Sequence, residues 1–189
     1  MKRAFIVHGW GGTVREGWFP WLKSELEKNG FIVQIPPMPN PDQPTIKEWT
    51  EHLTKVVGTP DEETFLIGHS IGCQTIIRYV ETLDRRIGGA VFVAGFFTLS
   101  GIDADEERKL ARPWLEEPID VKRVKRNLKG SVAILSTNDE YVPFVENRTM
   151  FEGRLGSEIV VEKDKGHLGG EARIKILPSA LDAVLRLAV

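Results

Sequence analysis

The sequence predicts an α/β fold built on a parallel sheet. Short apolar runs alternate with segments of helical period, the pattern of strands joined by crossover helices. The runs are rich in Val, Ile and Phe without a strict polar alternation, as expected of strands buried on both faces. At 189 residues and 41% hydrophobic, the chain is long and apolar enough for one domain of ordinary size, residues 1–189.

In chain order, the candidate strands are 4–8, 31–35, 64–68, 90–94, 132–136 and 158–161. A helix over 18–29 carries Trp18, Trp21, Leu22 and Leu26, with Gly30 as its stop. The next, 45–57, opens on Thr45-Ile46-Lys47-Glu48, a capping box, and ends at Gly58. Further helices are read over 71–83, 143–155 and 178–189. The run from Pro36 to Pro44 holds too many prolines for helix or central strand and is read as a stiff loop. The stretch 95–130 is longer than a simple crossover; it holds Phe96, Phe97, Trp114 and two short charged helical patches, and is the place for a small lid.

Composition excludes several classes. A net charge of −2 argues against a dedicated nucleic-acid or anionic-membrane binder. The basic run Lys122 to Lys129 is offset by the acidic run Asp103 to Glu107 and reads as a solvated helix face. The single cysteine, Cys73, excludes an intrachain disulfide and is read as a small core residue. The four histidines form no metal-ligand spacing, so no metal is expected. No apolar run reaches the roughly 18 residues of a spanning helix. The apolar start of the chain breaks at His8-Gly9, short of a signal peptide, and a soluble cytoplasmic chain is the expectation.

The chemistry centres on Gly68-His69-Ser70-Ile71-Gly72, a G-x-S-x-G match between an apolar strand and a helical run. A serine on a strained strand-to-helix turn needs small residues two before and two after it, because the backbone doubles back there. Gly68 and Gly72 supply them. A serine hydroxyl is a weak nucleophile and needs a histidine base oriented by a carboxylate, which follow in the order serine, acid, histidine. Only His167 lies downstream, in the glycine-rich stretch Lys165 to Gly170; His69 is set aside as pointing away at the turn. For the acid, the loop after the fifth strand offers Asp139, with Glu140 as runner-up and Asp164 and Asp182 less suited. Asp139 lies 69 residues after Ser70 and 28 before His167.

An oxyanion site needs the N–H of the residue after the nucleophile, here Ile71, and a second from a loop after a neighbouring strand. The loop His8-Gly9-Trp10-Gly11-Gly12 provides it, from Trp10 or else Gly11, with His8 and Gly9 shaping the turn. Gly9-Trp10-Gly11-Gly12-Thr13-Val14 lacks the third glycine of a dinucleotide fingerprint, and no cofactor is expected. Trp18, Phe96 and Trp114 are candidates for the substrate rim, although Trp18 and Trp21 also fit a packed helix face.

Taken together, these residues resemble the small α/β-hydrolases of the YdeN and retinoblastoma-binding protein nine type, over nearly the whole chain. The resemblance is carried by the elbow, the Gly9-Trp10-Gly11-Gly12 loop, the segment Trp18 to Leu26, Arg112-Pro113-Trp114, Asn138-Asp139 and Gly166-His167. It implies a minimal three-layer α/β-hydrolase fold with a six-stranded sheet of order 2-1-3-4-5-6, a Ser70–Asp139–His167 triad and no cofactor. It names no substrate. The L-x-C-x-E motif linked to retinoblastoma binding in that family is absent here. The expected activity is hydrolysis of an ester-like acyl bond in a small molecule, with amide cleavage open to the same triad. A catalytically weak protein-binding module is the alternative from another class; a protein partner is left open.

Overall fold

The computed structural model describes residues 1–169 and 173–189; Gly170, the last residue of the expected histidine loop, falls outside them. Six strands form one parallel sheet of order β2-β1-β3-β4-β5-β6, where β1 is Arg3–Val7, β2 Ile32–Gln34, β3 Thr64–His69, β4 Gly89–Val93, β5 Ser131–Ser136 and β6 Glu158–Glu162. The helices are α1 (Phe19–Lys28), α2 (Ile46–Val57), α3 (Ile71–Thr82), α4 (Asp105–Glu116), α5 (Val121–Asn127), α6 (Phe144–Met150) and α7 (Pro178–Leu187). A π-helical turn, Phe151–Leu155, takes over where the sequence predicts a continuous helix to 155.

The missing alternation in the strands has a direct cause. In β3, Leu66 faces the layer of α2, α3 and α5, while Phe65 and Ile67 face the layer of α1 and α7. The same division separates Phe5 and Val7 from Ala4 and Ile6, and Phe92 from Val91 and Val93. Period-two geometry is intact; both faces are simply apolar. The expectation of burial on both faces fails at the sheet edges. In β6 no residue is fully buried, and in β2 only Val33 is.

Local signals act as the sequence suggests. Thr45 Oγ1 accepts the Glu48 N–H at 3.3 Å and donates to the Glu48 carboxylate at 3.1 Å, closing the capping box of α2. Gly30 sits at φ 83 beyond α1. The acidic run beginning at Asp103 pairs within α4 rather than with the basic α5: Arg108 with Asp105, and Lys109 with Glu106 at 2.9 Å. Register then places the chemistry. Val7 of β1 pairs with Gly68 of β3, so the segment after β1 emerges beside Ser70. Ser136 of β5 pairs with Glu162 of β6, bringing the segments that carry Asp139 and His167 together.

Candidate active site

Ser70 stands between β3 and α3 at φ 53 and ψ −121, a conformation that costs a non-glycine residue about 1–3 kcal/mol and persists only where the surroundings enforce it. Here they do. The Ser70 N–H donates to the Val93 carbonyl at 3.0 Å, and the Ser70 carbonyl accepts from Cys73 N–H at 2.9 Å. A Cβ at Gly68 would meet the Cys73 backbone nitrogen at 2.7 Å, and one at Gly72 would meet the Val7 carbonyl oxygen at 2.4 Å. Both glycines are therefore required by close backbone approach.

The His167 Nδ1 lies 2.8 Å from Asp139 Oδ2 and 3.1 Å from Oδ1. Asp139 is 1% exposed at its side chain, and its Oδ1 also accepts the N–H groups of Tyr141 and Val142 at 3.0 Å each. Such a carboxylate holds the proton on Nδ1 and leaves Nε2 as the ring's acceptor. The segment before His167 is fastened to the end of β5 residue by residue. Asp164 N–H donates to Thr137 Oγ1 (3.0 Å), Lys165 N–H to Ser136 Oγ (3.0 Å) and Gly166 N–H to Asn138 Oδ1 (2.8 Å). On the other side, His69 Nε2 is 2.9 Å from the His167 carbonyl oxygen, and Trp18 Nε1 donates to that of Leu168 at 2.7 Å.

The loop after β1 is framed by the proline segment. His8 Nδ1 donates to the Gly9 carbonyl (2.8 Å) and His8 Nε2 accepts from Met38 N–H (3.0 Å), which fixes the neutral tautomer. Burial lowers the His8 pKa, in keeping with that arrangement. Gly11, at φ 62, donates its N–H to the Pro41 carbonyl at 2.8 Å, and Trp10 Nε1 donates to that of Asp42 at 3.0 Å. Burial raises the Cys73 thiol well above its usual range, and Cys73 belongs to the core.

Ser70, His167, Ile71 and the Gly9–Gly12 loop line one cavity of about 490 Å³. Phe96, Leu99, Ile102 and Ala111 give it an apolar wall, and Glu16 and Glu107 are also on its lining. A second, larger hollow of about 700 Å³ beside α1 and β2 contains neither Ser70 nor His167. Among the described residues no group of three or more His, Cys, Asp or Glu side chains could hold a metal ion.

Two rim expectations are corrected. Trp18 is fully buried in the layer of α1 and α7, where its indole N–H is spent on Leu168. Trp114 is 1% exposed, packs edge-on against Trp49, and donates to the Pro44 carbonyl at 3.2 Å. Neither lines the cavity; Phe96 does. His69, set aside as a base on the sequence, is buried against the His167 segment, rings 5.0 Å apart, and is on the cavity lining. The sequence gives Ser136, Asn138 and Tyr141 no role, because what they do depends on the pairing of β5 with β6 and on a loop contact.

A family model described as "Serine hydrolase" matches residues 4–186. The chain belongs to the serine hydrolase family. YdeN of Bacillus subtilis (strain 168) is 29% identical, with 97% of this chain and 94% of YdeN covered. The serine hydrolase RBBP9 of Rattus norvegicus is 27% identical, over 87% of this chain and 86% of its own. The crystal structure of the B. subtilis ydeN gene product superposes with a TM-score of 0.90 over 99% of this chain and 98% of that one, at 27% identity. Est1E from Butyrivibrio proteoclasticus shares the fold at 15% identity, with a TM-score of 0.74 over 98% of this chain and 86% of its own. The serine hydrolase is thus an α/β-hydrolase of six parallel strands. Among the described residues no helix is long and apolar enough to cross a membrane.

Proposed function

We propose that this serine hydrolase cleaves carboxylic esters of small molecules through a Ser70–His167–Asp139 triad and an acyl-enzyme. His167 Nε2 takes the Ser70 proton as Oγ attacks the ester carbonyl, and Asp139 stabilises the imidazolium through Nδ1–H. The oxyanion is held by the N–H of Ile71, at the start of α3, where the helix dipole also favours negative charge. The second N–H is assigned to Trp10, because that of Gly11 is already committed to Pro41. His167 returns the proton to the departing alcohol, then activates water, which releases the acid and regenerates Ser70.

The observation that carries this reading is the shared cavity: Ser70 and His167 both line it, while Asp139 holds His167 from behind at 2.8 Å. The apolar wall of Phe96, Leu99, Ile102 and Ala111 suits an uncharged acyl group, and residues 95–130 act as a small cap over it. Turnover of a short-chain nitrophenyl ester tests the reading. Wild type should hydrolyse it, and His167→Ala should lower kcat by about a thousandfold or more. Equal turnover by both would overturn the assignment.

A further inference from the structure

His69 sits at the junction of the two loops that converge on Ser70. A Cβ on Gly9, in the loop after β1, would lie 3.0 Å from His69 Nδ1, and one on Gly169, in the histidine loop, would lie 2.5 Å from His69 Cε1. The ring is thus a plate held between two glycines, one from each loop. Its other contacts are aromatic: His167 at 5.0 Å, Phe19 at 6.2 Å and Trp18 at 6.4 Å between centroids. With Nε2 2.9 Å from the His167 carbonyl oxygen, which can only accept, Nε2 carries a proton and donates it there. Nδ1 has no hydrogen-bond partner among the described residues. Burial, with His167 close by, lowers the His69 pKa to about 3, which keeps the ring from competing with His167 as a base.

We infer that His69 is a positioning residue for His167: its Nε2–H grips the His167 carbonyl and fixes the imidazole's approach to Ser70. The inference rests on the proposed role of His167. The need for a grip is visible in the next residue. Leu168 stands at φ 55, a left-handed conformation that a leucine does not hold unaided. The two carbonyls bracketing its backbone, those of His167 and Leu168, are the ones pinned by His69 and Trp18. Asn138 and Ser136 hold the amides on the upstream side. Releasing the His69 pin lets the loop relax toward an unstrained backbone and carries the imidazole with it.

Three variants test this. His69→Phe keeps a ring and loses the donor; His69→Asn stays polar but is too short to reach the carbonyl; His69→Gln restores an N–H within reach. In nitrophenyl ester turnover, the Phe and Asn variants should lose about 10- to 100-fold in kcat with KM within about twofold, while Gln recovers most of the rate. Amide hydrogen exchange at Lys165–Leu168 should speed up by about tenfold in Phe and Asn, and not in Gln. Wild-type kcat and loop exchange in Phe and Asn would overturn the inference, as would equal losses in all three. If wild type itself turns over no ester, the proposed activity fails, and the exchange comparison alone still decides the role of His69.

Discussion

Replacing Gly72 by alanine sets two effects against each other, and the distances decide between them. Gly72 is the second residue of α3, where alanine should improve helix propensity by about 0.5–1 kcal/mol. The new Cβ, however, would lie 2.4 Å from the Val7 carbonyl oxygen and 2.7 Å from that of His8. Ordinary contact begins near 3.4 Å, so the start of α3 must move about 1 Å from the end of β1. Both obstacles are backbone, and Val7 is held by its pairing with Gly68. Overpacking of this kind costs about 1–3 kcal/mol, which outweighs the propensity gain. A net loss of about 1–2 kcal/mol lowers Tm by about 2–8 °C in a chain of this size. The same shift separates the Ile71 N–H from the Trp10 loop, and a 1 Å error at an oxyanion site costs about 100-fold in rate. Thermal unfolding and kcat/KM measure the two consequences. Gly153→Ala is the control, since nothing lies within 4 Å of a Cβ there, and its Tm should hold or rise. If Gly72→Ala behaves like that control, the close approach of α3 to β1 is not what requires the glycine.

Three further outcomes are expected. Trp18→Phe leaves the Leu168 carbonyl without its 2.7 Å donor and should cost about 1–3 kcal/mol by denaturant unfolding, with a drop in kcat; a change confined to KM would instead mark Trp18 as cavity wall. Ser70→Gly abolishes turnover yet should raise Tm by a few degrees, about 1 kcal/mol, because glycine relieves the strain at φ 53; an unchanged or lower Tm would speak against stored strain. His69 is neutral when folded, with a pKa near 3 against 6.5 when unfolded, so its contribution to stability is complete above pH 6.5 and lost as pH falls below it. That loss amounts to about 2–3 kcal/mol by pH 4.5, and His69→Gln should flatten this acid limb of stability against pH; an identical limb in both proteins would refute the assignment.

Much of this architecture was legible before the structure. The six strands follow from short Val/Ile/Phe runs, and α2 from its capping box, because those signals are local. The elbow was readable as a strand-turn-helix pattern, and Gly68 answers a local demand against Cys73, but what crowds Gly72 is the distant end of β1 at Val7 and His8. What the sequence could not convey is contact across the fold. The spacing of Trp18 and Trp21 cannot say which way α1 turns its faces, so a buried brace under Leu168 reads as a rim residue. Trp114 misleads similarly, since its partner, the Pro44 carbonyl, lies 70 residues away. His69 was discounted because strand geometry turns it away from its neighbour Ser70; the loop it meets comes from 98 residues further along. The proline segment reads as a stiff connection, yet its carbonyls at Pro41 and Asp42 hold the loop after β1.

The central claim is that Ser70 is the nucleophile and His167 its base. Intact-mass and peptide analysis after exposure to a fluorophosphonate probe tests it most directly. A single adduct is predicted, mapped to Ser70, absent from Ser70→Ala and formed far more slowly in His167→Ala. Equal labelling of Ser70→Ala, or an adduct mapped to another residue, would contradict it.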